Sequence, residues 1–102
     1  MKQMNQRDAI HYIATRQEFK ASALSGKYES IRPHEGRLDI EEFDKMKQAF
    51  TVSGGYVVYS YGTPIAWRTA DGWYVVEQKF SVTTSKHQNY VRRAIAESEV
   101  LV

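Results

Sequence analysis

The 102-residue sequence has no cysteine, which excludes disulfides and thiolate metal sites and permits a reducing compartment. Proline occurs only at 33 and 64, so it can interrupt the chain at just two places. Charge of one sign is also scarce. Lys and Arg number 14 against 12 Asp and Glu, for a formal net charge of +2. That balance is too mild to demand a polyanionic partner, so any nucleic-acid binding must come from local clustering. No apolar run approaches the length that spans a bilayer, and the N-terminus has no apolar signal-peptide core. A soluble protein of the cytoplasm is expected, with no membrane partner.

What is present suffices for one core. Hydrophobic residues make up 42% of the chain, and a chain of this length leaves little room for an enzyme cleft besides. The expected organisation is a single domain, 1–102. Residues 1–55 are mainly helical with a loop at 26–38, and residues 56–97 form a β-meander followed by a C-terminal helix.

The meander is the firmest reading. Residues 56–61, 64–69 and 73–77 are rich in aromatic and β-branched types, separated by Gly62-Thr63 and Asp71-Gly72. Those pairs suit two-residue hairpin loops of types II′ and I′ respectively. Loops at these positions place Ser60 opposite Ile65, Val58 opposite Trp67, and Trp67 opposite Val76. One face then carries Tyr56, Val58, Ile65, Trp67, Tyr74 and Val76. The other carries Val57, Tyr59, Tyr61, Ala66, Arg68, Trp73, Val75 and Glu77. Neither face is simply polar, so either both are covered or one is a binding surface.

Helices are expected near 5–17, 39–50 and 85–97. In the first, Asn5 can cap, and Ala9, Ile10, Ile13 and Ala14 share a face. A short further helix could begin near Ser22 and close at Gly26. In the second main helix, Asp39 and Glu42 stand at capping-box spacing ahead of Ile40, Phe43, Met46 and Phe50. In the third, Ser85 and Gln88 have the same spacing, and Thr84 could cap one position earlier. The fold class is therefore α+β, a small three-stranded antiparallel meander packed with about three helices.

The string Tyr-Gly-Thr-Pro-Ile-Ala-Trp at 61–67, the Gly72-Trp73 pair, Phe-Ser-Val-Thr-Thr-Ser-Lys-His-Gln at 80–88 and Val91-Arg92-Arg93 resemble a motif set in small proteins of unknown function. Those proteins are encoded by phages and mobile elements of Gram-positive bacteria and their relatives. The resemblance covers roughly 56–96 and implies a genomic setting rather than an activity. Free-standing proteins of that kind bind or inhibit host machines more often than they catalyse metabolic reactions.

Two clusters rise above a bland background. Tyr59, Tyr61, Arg68 and Trp73 on one sheet face combine aromatic area with a guanidinium, as protein hot spots and single-strand stacking platforms do. A core face under a helix is the alternative. Thr84, Ser85, Lys86 and His87, with Arg92 and Arg93 one to two turns on, could hold a phosphate, a carboxylate or a nucleic-acid backbone at a helix start. Plain capping is the alternative there. The histidines at 11, 34 and 87 have no metal-ligand spacing, and no nucleophile elbow or phosphate loop appears. No catalytic residue, metal or cofactor is expected.

The function expected is that of a non-enzymatic phage-type accessory protein that binds, and could inhibit, a host protein such as a defence or replication machine. The alternative is a small nucleic-acid-binding or regulatory module, winged-helix-like or with an anion groove. A homodimer is a further candidate assembly.

Overall fold

The computed structural model describes residues 6–21, 23–51, 54–70 and 72–100. The element order is α1 (Gln6–Ala14), β1 (Phe19–Lys20), β2 (Leu24–Glu29), α2 (Ile40–Ala49), β3 (Gly55–Ser60), β4 (Thr63–Thr69), β5 (Gly72–Val75) and α3 (Val82–Val100). The class is α+β, as expected, but the sheet has five strands in the order β1-β2-β3-β4-β5, every neighbouring pair antiparallel.

The two extra strands replace the short helix expected near 22–26 and the first part of the expected loop at 26–38. Gly26 is not a helix terminator. It lies inside β2, where the Tyr56 hydroxyl and the Phe19 ring fill the space that a Cβ would need. The hydroxyl continues past it and donates to the Gln17 carbonyl at 2.7 Å. The suggested start at Ser22 lies outside the described residues, as does the suggested cap Asn5.

Local chemistry explains the helix ends. The Asp39 side chain accepts from the Glu42 amide at 2.9 Å, fixing the start of α2 where the capping pair placed it. The end of α1 is a Schellman turn. The Gln17 amide reaches the Tyr12 carbonyl and the Arg16 amide the Ile13 carbonyl, with Arg16 at φ 54 in the left-handed position usually held by glycine.

The register corrects the expected faces. Ser60 pairs with Thr63, so the hairpin loop is Tyr61-Gly62, with φ values of 52 and 79. Both are positive, the signature of a type I′ turn. A bulge then shifts the pairing between Val58 and Tyr59, after which Val58 opposes Ala66 and Val57 opposes Trp67. An odd slip transfers every β3 side chain to the other face. Tyr56 and Val58 therefore join Ala66, and it is Val57 and Tyr59 that join Trp67. At the next connection Thr69 opposes Gly72, which leaves Ala70 and Asp71 between the strands, Asp71 lying outside the described residues. This pairing keeps Trp67, Tyr74 and Val76 together as expected.

Both faces of the sheet are covered. α1 and α3 pack Ile10, Ile13, Val91 and Ala94 against Leu24, Tyr56, Val58, Ile65 and Ala66. On the other side, α2 and the chain leading into it bring Leu38, Met46 and Phe50 onto Val57, Trp67 and Val76. Ile65 and Ala66 adjoin in sequence yet share one cluster, because the bulge re-aims a side chain there. Among the described residues no helix is long and apolar enough to cross a membrane.

Candidate functional site

The tip of the β3–β4 hairpin, the chain entering α2 and the start of α3 enclose a pocket of about 220 Å³. Two cations line it, Arg37 and Lys79, with four hydroxyl residues, Ser60, Thr63, Ser81 and Thr84. Tyr61 and Phe80 complete the wall. Among the described residues no carboxylate lines it.

Each wall is held in place by side chain to backbone bonds. The Arg37 amide donates to Thr63 Oγ1 at 3.0 Å. Gly36, at φ 58, lies so close to Thr63 that a Cβ would meet its Cα, so glycine meets both the conformational and the steric demand. Gln78 ties the two cation-bearing segments together. Its amide nitrogen donates to the Arg37 carbonyl at 2.9 Å and its oxygen accepts from the Asp39 amide at 2.7 Å. Gln88, buried on α3, donates in turn to the carbonyls of Val76 and Gln78. Arg37 and Lys79 are thus fixed at their backbones, while their exposed side chains have no ion-pair partner among the described residues.

Behind the pocket runs a polar chain, exposed at Ser81 and buried at Thr84, Ser60 and His87. Ser81 caps α3, accepting from the Thr84 amide at 3.2 Å, and its hydroxyl donates to Thr84 Oγ1 at 3.2 Å. Thr84 Oγ1 lies 3.1 Å from Ser60 Oγ, which lies 2.7 Å from His87 Nδ1. Burial holds the His87 pKa below its ordinary value. The ring is therefore neutral at pH 7, and Nδ1 can accept the Ser60 proton with the ring's own hydrogen on Nε2. This nucleophile and base sit within bonding distance although they lie 27 residues apart, so no local spacing could have revealed them. Among the described residues the bond given for His87 is to Ser60 and not to a carboxylate, so the imidazolium that would form in base catalysis lacks the charge that usually stabilises it.

The expected anion cluster is redistributed. α3 begins at Val82 rather than near 85, and Ser85 lies in its second turn with its amide bonded to the Ser81 carbonyl at 2.9 Å. Thr84 and His87 are buried in the polar chain, whereas Lys86, Arg92 and Arg93 are exposed, Arg92 bonding Asn89 at 3.0 Å. Sequence reasoning passed over Arg37 and Lys79, which lie on separate loops.

The aromatic group is divided as well. Tyr59 is half-buried on the α2 side, its hydroxyl bonded to Glu29 and its pKa pushed up by burial. Arg68 and Trp73 are paired in register on the opposite face, with Trp73 packed on the α1–α3 core. Tyr61 stands apart from all three at the hairpin tip, 60% exposed.

A third polar group, Glu42, Lys45 and Tyr74, ties α2 to β5. The Tyr74 hydroxyl donates to Glu42 at 2.7 Å and accepts from Lys45 at 3.1 Å. Its pKa is raised, by burial first and the Glu42 bond second, which makes the phenol a weaker acid and keeps it protonated. Among the described residues no three His, Asp or Glu converge as metal ligands.

A family model described as a family of unknown function (DUF8033) matches residues 12–99, and the chain belongs to that family. No curated protein and no solved structure matches it.

Proposed function

We propose that this family member is a non-catalytic accessory protein of phage or mobile-element type that binds a host protein machine in the host cytoplasm, with the contact centred on Tyr61. The observation that carries the reading is the state of that residue. A bulky aromatic occupies a left-handed turn position at φ 52 and is 60% exposed beside a cationic pocket. Asparagine or glycine would sit there without strain, whereas other residues lose about 1–2 kcal/mol. Strain held at an exposed aromatic is the pattern of a recognition residue. Val82, directly after the pocket residue Ser81, is 77% exposed, and Ile40, three residues after Arg37, is 75% exposed. Exposed apolar side chains beside an aromatic and an arginine suit a protein interface, where aromatic residues and arginine are enriched.

Replacing Tyr61 with asparagine tests the reading. Relief of strain offsets the lost partial packing of the ring, so the melting temperature should stay close to that of the parent. Stoichiometric capture of a partner from nuclease-treated host lysate should disappear. Unaltered capture by the variant would refute the reading. Capture that needs nucleic acid and weakens steeply with salt would replace it with the nucleic-acid alternative.

A further inference from the structure

Resting on the reading that this end of the molecule is the binding end, we propose that the pocket between Arg37 and Lys79 takes a phosphate monoester borne on a serine or threonine side chain of the partner. The cavity carries the inference, not the start of α3 alone, whose cap is already satisfied by Ser81.

Charge selects the ligand. A phosphate monoester carries about −1.5 to −2 at pH 7, and two cations without ion-pair partners among the described residues line the cavity. A carboxylate or a phosphodiester carries one negative charge and would leave one cation uncompensated. Among the described residues no carboxylate stands in the wall to oppose the ligand.

Donor chemistry agrees. Ser81, Thr84 and Ser60 bond one another and His87, which commits those hydroxyls. Thr63 Oγ1 accepts from the Arg37 amide, so its own hydrogen remains to be donated. The set facing the ligand is then a guanidinium, an ammonium and a hydroxyl, a combination suited to a tetrahedral oxyanion.

Size excludes a tracking groove. A cavity of about 220 Å³ holds one such group and the atoms next to it, whereas nucleic-acid backbones are followed by extended cationic grooves. Gln78, bonded to both cation-bearing segments, presets the distance between them, which lowers the ordering cost of binding.

The test is a titration of the full chain, followed by amide chemical shifts at constant ionic strength. The probes are O-phosphoserine and inorganic phosphate, with serine and acetate as controls and a 5′-phosphorylated dinucleotide as the competing source. The amides of 61–63 and 79–82 should move with both phosphate probes and with neither control. Arg37→Gln and Lys79→Gln should each weaken phosphoserine binding about tenfold or more, as expected for a lost charged hydrogen bond. Their melting curves should not change. Ile40→Ser, which lies outside the pocket wall, should keep phosphoserine binding while weakening capture of the partner, which separates failure of the pocket from failure of the interface. Still amides in the parent chain, or binding unaffected by both charge removals, would overturn the proposal. So would a dinucleotide bound more tightly than phosphoserine.

Discussion

Trp67 is the residue whose removal best tests the architecture. It is 1% exposed in β4, the strand between β3 and β5, and packs among Leu38, Met46, Phe50, Val57 and Val76, with its ring 5.1 Å from that of Tyr74. A fully buried aromatic removes about 150–250 Å² from water. At about 25 cal/mol per Å² that gives ~4–6 kcal/mol, an upper bound because the unfolded chain is itself partly compact. Large-to-small replacements of core aromatics cost about 3–5 kcal/mol, so ~4 kcal/mol is the expected loss for Trp67→Ala. Domains of this size are stable by about 5–15 kcal/mol, and each kcal/mol moves Tm by about 4–8 °C. A fall of roughly 15–30 °C should follow. The assay is denaturant unfolding watched by far-ultraviolet circular dichroism and by the fluorescence of Trp73, which reports from the opposite core. A midpoint displaced by less than the equivalent of about 1 kcal/mol would refute the assignment of this face to the α2 core.

Two other outcomes follow from the buried polar groups. His87 is held neutral by burial, while the unfolded imidazole protonates near its ordinary pKa of 6.5. The unfolded state therefore binds more protons below that pH. Stability contributed at neutral pH should be lost as the pH falls from about 6.5 to the lowered folded value, with a slope of up to about 1.4 kcal/mol per pH unit. Urea midpoints in His87→Gln should lack this component, and an unchanged pH dependence would contradict it. The Trp73 indole N–H is buried without a hydrogen-bond partner among the described residues, which costs about 1–3 kcal/mol. Trp73→Phe removes that donor along with some packing, so its denaturation midpoint should stay within the equivalent of about 1 kcal/mol of the parent; a loss of several would mean that the donor is satisfied.

What the sequence disclosed depended on whether the deciding interaction was local. Asp39 and Glu42 set the start of α2 by themselves, three residues apart, and the structure places the cap there. The aromatic runs announced β3, β4 and β5 for a similar reason, since their side chains favour a pleated surface. The hairpin turn misled because glycine was read as its first central residue, whereas Tyr61 takes the left-handed position ahead of Gly62. That reading moved the register, and the bulge beside it moved it again, so the aromatic face was composed of residues that lie on different faces. β2 was missed because Gly26 resembles a helix terminator until the Tyr56 hydroxyl is seen against it. The start of α3 offered several hydroxyl residues as caps. The structure uses Ser81, with Gln88 placed where its amide reaches the carbonyls of Val76 and Gln78. Arg37 and Lys79 meet only through the tertiary fold.

The uneven build of α3 bears on why the pocket lies where it does. The middle of the helix buries Val91 and Ala94 in the apolar core, while its first turns bury Thr84, His87 and Gln88. Apolar side chains at those first positions would avoid the desolvation of polar groups, which only hydrogen bonding recovers. The Ser81–Thr84–Ser60–His87 chain provides that bonding, and its three hydroxyl residues line the pocket with Tyr61 and the two cations. Strain is held at this end too, by Tyr61 in left-handed backbone, a region that Gly36 enters without strain. Stability alone does not account for an exposed aromatic at a strained turn position beside two exposed cations, whereas the binding role proposed for this end does.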